Sequence, residues 1–585
     1  MAERRRRHRV AVILAATVMA LAACSSVPDG GAPVTVRSVP PAGTAEEESE
    51  VRVQAPGPVP GNSPVQVVRG FFNAAVSGAD VHAVARGFLT SEANRVWEDD
   101  GPVRVFRLRE IRALAPDAVR VVGTTVGVVG VDGALTPSDE PVELTLRLRR
   151  SGGSWQIDTP PPGVYLQDVY FTQVYVPYSV YFLAAGARRL VPDVRYVDRS
   201  LGNAEPSQLV RLLLGGPSRW LAPGVRTAFP PGTGLRGNVV RDGDVLVVDL
   251  TAEAEYAGAG DRALLCAQLV WTLRQFPESG VRVEVEGRPF TAPSAGAVQD
   301  VAQWAGLNPA SPVHEVPAYH LDRGSVRVLV PGTDSGLRAG AAFGGTEARS
   351  GVRDAAVTTD GSSIALVKAA PGGRQRLLVG PSAGMVSARA TAYRFGRPTW
   401  GARTDAVLVA ADGRRLLLVP HAGPALTVAA AGLRPYLGQG QDIQAVRLAP
   451  DGVRLALVVG SGPGATLLAG VLRGVGGRAP TVVGLRAVAA GLADVTDVGW
   501  SGEGTLVTVG SEGGSAVIWE VSADGATRTT WSRSGLPARP PNRLAAAPPD
   551  RVLLDVGGVT YQRYGDSWGP PLPDAAAGGA PFYPG

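Results

Sequence analysis

The sequence predicts a multidomain chain in which two α+β domains are followed by an all-β propeller. Three observations carry this. The 585 residues exceed what one hydrophobic core holds, roughly 100–200 residues per domain. Helix-period and strand-period patterns alternate up to residue 295, after which only short apolar strands and turns remain. In that last stretch a turn-plus-strand unit recurs every 40–50 residues, the period of propeller blades. The 75 Gly and 48 Pro, about a fifth of the chain, suit such a turn-rich body.

The N-terminus reads as an address. Arg4 to Arg7 and Arg9 form a basic start, Val10 to Ala20 an apolar run, and Leu21-Ala22-Ala23-Cys24 leads into polar Ser25-Ser26-Val27-Pro28. That order is an export signal over residues 1–23, with an apolar stretch short of the ~18–20 residues that cross a bilayer. Leu-Ala-Ala-Cys resembles the lipobox of bacterial lipoproteins. The resemblance implies lipidation of Cys24, as S-diacylglycerol and N-palmitoyl cysteine, and a chain anchored at the extracytoplasmic face of the cell membrane. Residues 24–62, rich in Pro, Gly, Ser and Glu, are expected to form a flexible tether. The formal charge is +5, and five Arg against one Glu in residues 1–23 supply +4 of it. The exported chain is thus nearly neutral, and no nucleic-acid partner is expected.

Residues 63–165 read as the first α+β domain. Val65, Val68, Phe71, Phe72, Ala75 and Val76 recur at helical spacing, and a short helix is expected over Val81 to Phe88. Strand patterns follow at Val119–Val131 and Val142–Arg149, and Ser151-Gly-Gly turns into Trp155-Gln-Ile157. Helices followed by a sheet that ends in such a hairpin resemble an NTF2-like cone, a fold that implies a pocket but no particular ligand.

Residues 166–295 form the second. Leu209–Leu214 runs into the helix stop Gly215-Gly216-Pro217, then come Pro230-Pro231-Gly232-Thr233, the turn Asp242-Gly243 and the strand Val245–Val248 ending in Asp249-Leu250. A helix over Leu264–Phe276 carries Gln268-Leu-Val-Trp-Thr-Leu273, and Val281, Val283 and Val285 alternate up to Glu286-Gly287. These motifs in this order resemble GerMN domains, which implies a protein-interaction module. Cys266, inside the apolar helix, is expected to be a buried free thiol.

A linker over 296–317 leads to the propeller, 318–585. Its unit is clearest at Asp360-Gly361-x-x-Ile-Ala-Leu-Val367, Asp412-Gly413-x-x-Leu-Leu-Leu-Val419 and Asp451-Gly452-x-x-Leu-Ala-Leu-Val458. Weaker copies start at Asp322, Glu503 and Asp550, giving spacings of 38, 52, 39, 52 and 47 residues and five or six blades. Asp-Gly supplies the positive φ of a tight hairpin, and the apolar run is a strand buried between blades.

Most catalytic chemistry is excluded. No Cys-x-x-Cys or His-Glu-x-x-His occurs among two Cys and five His, and the single lysine, Lys368, follows Val367 and is not part of a phosphate-binding Gly-Lys-Ser/Thr. Gly380-Pro-Ser382-Ala-Gly384 and Gly565-Asp-Ser567-Trp-Gly569 match a nucleophile elbow, but each falls inside the β-repeat where a helix should follow. His421 is the only histidine after Ser382, and none follows Ser567. Gly232-x-Gly234-x-x-Gly237 lacks the strand before and the helix after that a dinucleotide fingerprint needs. His314 and His320, near Glu315 and Asp322, read as solvated linker residues. The carboxylates Glu253 and Glu255, and Asp497 and Glu503, read as exposed loop residues. The expectation is a protein with no catalytic residues, no metal and no cofactor.

Lipobox, helical-then-β domain, GerMN-like domain and propeller, in this order, resemble the actinobacterial LpqB lipoprotein family over nearly the whole exported chain. The resemblance implies an accessory of the MtrA–MtrB two-component system that engages the extracytoplasmic domain of an MtrB-like sensor histidine kinase, in cell-envelope homeostasis and division. The alternative is an envelope scaffold or a glycan- or ligand-binding receptor without kinase contact; Trp400 and Trp500 would suit sugar stacking, but their default reading is as aromatics buried in the blades.

Overall fold

The computed structural model describes residues 56–74, 82–186, 189–292, 295–310, 317–331, 337–401, 406–438, 441–477, 479–488, 492, 494–569 and 579–585. Cys24, His314 and Glu315 lie outside them. The described residues fall into two compact units. Those within 1–97, 111–121 and 144–161 make the first, and those within 98–110, 122–143 and 162–585 the second. Among the described residues no helix is long and apolar enough to cross a membrane.

In the first unit the helix Pro64–Ala74 starts with a reciprocal cap. The Ser63 amide donates to Gln66 Oε1 at 2.8 Å and the Gln66 amide to Ser63 Oγ at 3.4 Å. Its Val67, Val68, Phe71 and Phe72 are buried. A short helix Ala83–Arg86 follows, and Thr90 caps a third over Ser91–Val96 that the apolar pattern did not announce. The hairpin Pro141–Ser151 with Ser154–Ile157 turns at Gly152-Gly153, both at positive φ.

The second unit contains an α+β module and the propeller. The antiparallel strands Tyr175–Ala184 and Leu190–Asp198 pack on helices Glu205–Leu214 and Ala259–Leu273. The strands Val245–Leu250 and Gly280–Val285 pair in parallel, with the helix Ala259–Leu273 as the crossover. Gln268 and Thr272 explain the Gln-x-Val-x-Thr-Leu pattern. One helical turn apart, they clip the helix to a strand: Gln268 Nε2 donates to Tyr181 O at 2.7 Å and the Tyr181 amide to Thr272 Oγ1 at 3.2 Å. Both are wholly buried and hydrogen-bonded. Cys266 beside them is buried, and burial pushes its thiol up to about 11.

Among the described residues the propeller has six blades. The first is three-stranded (Ala318–Asp322, Ser325–Pro331, Leu337–Ala342), and five four-stranded sheets follow. They begin at strands Val352–Val357, Thr399–Trp400, Ile443–Leu448, Asp497–Trp500 and Arg543–Ala547. These first strands touch from blade to blade and therefore line the axis. The ring closes through the far end of the chain. Tyr319 and Phe582 exchange amide hydrogen bonds of 2.8 Å in both directions, and their rings stack 5.3 Å apart.

The repeat unit is out of phase in one blade. Asp360-Gly361 and Asp451-Gly452 join the first and second strands of their blades, whereas Asp412-Gly413 joins the second and third. The side chains show why. Asp360 and Asp451 accept the amide two residues on, from Ser362 and Val453, and form Asx turns. Asp412 and Gly413 both have positive φ, +52° and +69°, and open the three-residue hairpin loop 412–414 that closes on the Ala411–Arg415 pair.

Candidate functional site

Among the described residues, polar side chains of the propeller converge at its axis and at its junction with the α+β module, both in the second unit. The first is the propeller axis. Asp497, at the start of the fifth blade's inner strand, accepts Arg447 Nη2 at 2.7 Å, Arg397 Nη2 at 2.9 Å, and the amides of Val498 at 2.9 Å and Leu544 at 3.0 Å. Burial opposes its ionisation, but the two guanidiniums and the amides outweigh that and hold its pKa below the ordinary value. Burial, together with the positive charge of Arg397, pushes Arg447 down to about 9. Beside them Arg543 takes both oxygens of Asp354, at 2.5 and 3.0 Å. Arg397 Nη1 reaches Pro581 O at 3.2 Å, tying the closing segment into the same network.

The second place is the junction between the α+β module and the propeller. Glu503, in the turn after the fifth inner strand, accepts the Tyr181 hydroxyl at 2.5 Å and Arg274 Nη2 at 2.8 Å, and Arg274 also donates to that hydroxyl at 2.9 Å. The Glu503 carbonyl accepts from Arg454. The Tyr196 hydroxyl donates to Asp524 at 2.8 Å and Trp220 Nε1 to Gly484 O at 2.9 Å, with the Arg486 guanidinium 4.0 Å above the indole. Between these bonds Val453 and Val471 of the fourth blade belong to the module's own apolar core. Packing is close enough that a Cβ on Gly224 would lie 2.5 Å from Val471 and 2.6 Å from Val453. Burial drives the pKa values of Tyr181 and Tyr196 upward.

Asp497 and Glu503 are therefore not exposed loop residues. Asp497 is buried at the axis, and Glu503 is committed to the junction. The sequence offered one signal for the axis, a charged residue within or beside the otherwise apolar inner strands (Asp354, Arg447, Asp497, Arg543). The period-two pattern hides it, because those strands are buried on both faces.

The remaining candidates stay apart. Ser382 Oγ is buried with no hydrogen-bond partner, and the next element is the strand Ser387–Ala392. Ser567 is exposed and donates to Tyr564 O. His421 packs its ring 5.2 Å from Trp400. His320 is not a solvated linker residue. It sits buried in the first blade, and burial lowers its pKa. Among the described residues no three His, Cys, Asp or Glu converge as metal ligands would. Trp400 and Trp500 are buried between blades, and Trp500 Nε1 donates to Arg447 O.

Fold and site together define a six-bladed propeller protein whose charged groups hold blades and domains to one another. Family models match in the same order: "Lipoprotein LpqB, N-terminal domain" over residues 57–172, "Sporulation and spore germination" (Germane) over 179–291, and "Lipoprotein LpqB beta-propeller domain" over 333–584. The chain belongs to the LpqB lipoprotein family. It is 30% identical to Lipoprotein LpqB of Rhodococcus opacus over 435 residues, 71% of this chain and 70% of that one. It is also 30% identical to that of Streptomyces coelicolor over 567 residues, 90% of each. Among solved structures, TolB from Acinetobacter baumannii aligns at a TM-score of 0.26 with 12% identity, covering 37% of this chain and 50% of that one. The tandem GerMN domains of GerM from Bacillus subtilis align at 0.19 with 16% identity, covering 28% and 58%.

Proposed function

We propose that the protein is a lipid-anchored accessory on the extracytoplasmic face of the cell membrane, signal peptide removed and Cys24 lipidated. In this reading it binds the extracytoplasmic domain of an MtrB-like sensor histidine kinase and biases its equilibrium in cell-envelope homeostasis and division. The observation that supports it best is the junction. Glu503, Asp524 and Gly484 of the propeller engage Tyr181, Arg274, Tyr196 and Trp220 of the GerMN-like module around a shared apolar core, so the two present a single rigid surface. A pre-organised surface loses little entropy on docking. Confinement to the membrane plane by the lipid raises the effective concentration near a membrane kinase even when the contact is weak. The effect on signalling is set by the difference in affinity for two kinase states.

The protein acts by binding, not by catalysis, and the N-terminal domain is an NTF2-like cone; the helices Pro64–Ala74 and Ser91–Val96 ahead of the Trp155 hairpin favour that fold. The test is titration of the purified full-length chain against the kinase's extracytoplasmic domain. Saturable submillimolar binding is expected, and no binding at about 1 mM would remove the kinase from the reading. Cys24→Ala should release the protein from membranes into the medium, as fractionation would show.

A further inference from the structure

The two ends of the propeller axis differ. At the end where the inner strands finish, Pro581 accepts Arg397, the Gly585 amide reaches Val357 O, and Phe582 to Gly585 line the axis. The module's contacts (Pro450, Glu503, Asp524) come from turns on this same side. At the end where the inner strands begin there is an open cleft of about 220 Å³, into which Arg394, Arg397, Arg447, Arg543, Gln444 and Asn542 converge with Asp354 and Asp497.

We propose that this cleft is a binding site for a small anionic group, a carboxylate or a phosphate. The argument is a count of donors and acceptors. Both oxygens of Asp354 are taken by Arg543, and each oxygen of Asp497 already accepts one guanidinium and one amide. Asp497 has no acceptor capacity left, and Asp354 keeps one lone pair on each oxygen beside Arg543. Each guanidinium carries five N–H donors; Arg397 spends three, on Asp497, Leu544 O and Pro581 O, and Arg447 two, on Asp497 and Val446 O, which leaves two and three. Arg394 at the rim spends one nitrogen on Asp442, 2.8 Å away. Asp555, across the ladder from Arg543, is occupied by the Gly558 amide. The cleft thus offers N–H donors in excess and few open acceptors, and two of its guanidiniums share one carboxylate in a buried site where an unneutralised charge is costly. An anion with two or three oxygens fits both demands, because guanidinium groups bind planar and tetrahedral oxyanions bidentately.

The experiment titrates the full-length protein, in detergent, with inorganic phosphate and separately with succinate, at constant ionic strength set by chloride, using calorimetry. One of the two should bind saturably at millimolar or lower concentration, and whichever binds more tightly identifies the phosphate or the carboxylate form. Gln444 is exposed on its strand, so Gln444→Glu places a carboxylate at the cleft without burying it. That variant should keep or raise the melting temperature and weaken the anion at least about ten-fold. Arg394→Gln should weaken it several-fold while the melting temperature stays near that of the parent. Absence of saturable binding by either anion up to about 20 mM, or binding that neither substitution alters, would overturn the assignment.

Discussion

Asp497 and Glu503 stand six residues apart on one inner strand and its turn, and they hold different things. Asp497 is buried, saturated by two guanidiniums and two amides, and joins the fifth blade to its neighbours. Glu503 is partly exposed and joins the propeller to a separate module through Tyr181 and Arg274. Removing one partner from a buried network leaves charges that water hydrates poorly; removing one from a wet junction lets water substitute. The axis should therefore fail with the fold, and the junction should fail as a hinge.

That contrast can be broken. Asp497→Ala should cost about 3–5 kcal/mol of propeller stability in denaturant unfolding, because Arg397 and Arg447 are left buried without their shared counter-charge. A loss under about 1 kcal/mol would mean that the axis is wetter than argued. Gly224→Val should follow, at about 1–3 kcal/mol, since its side chain has to displace Val471 and Val453. Here the signature is easier proteolysis between module and propeller while both stay folded. Glu503→Ala should cost about 1 kcal/mol, and its coupling to Arg274→Ala in a double-mutant cycle should be about 0.5–1 kcal/mol.

A pH scan sharpens the same comparison. Tyr181 and Tyr196 have their pKa values raised by burial above the ordinary value near 10. In the unfolded chain they ionise first, so their contribution is fully present below about pH 10 and is lost as pH rises beyond it. Stability should fall above that pH, and Tyr181→Phe should shallow the slope. The smallest effect is expected at Cys266, whose thiol should resist an aromatic disulfide reagent at pH 8 until the chain unfolds.

How much of this the sequence discloses depends on where the signal lies. The propeller was legible because each blade needs a tight turn and a strand buried on both faces, and Asp-Gly followed by four apolar residues encodes both. The same dipeptide misled at Asp412, because an Asx turn and a tight three-residue hairpin loop start with identical letters and differ in the φ of the aspartate. The parallel strand–helix–strand of the GerMN-like module was legible from Val245 to Val285. The helix Ser91–Val96 was not, being too short to show a period. The axis and the junction were illegible for a different reason: Asp354, Arg397, Arg447, Asp497 and Arg543 are spread over nearly 200 residues and meet only when the ring closes. Local pattern cannot express that kind of proximity.

The pairing of Tyr319 with Phe582 has a consequence for how the protein is made. The first strand of the ring waits for a partner that is translated more than 260 residues later. If the chain crosses the membrane in order of synthesis, the early blades emerge as open sheets with an unpaired edge. They can lock only once Phe582 has followed. A chain stopped a few residues before that aromatic should keep its ring open, and proteases should cut it faster than the parent.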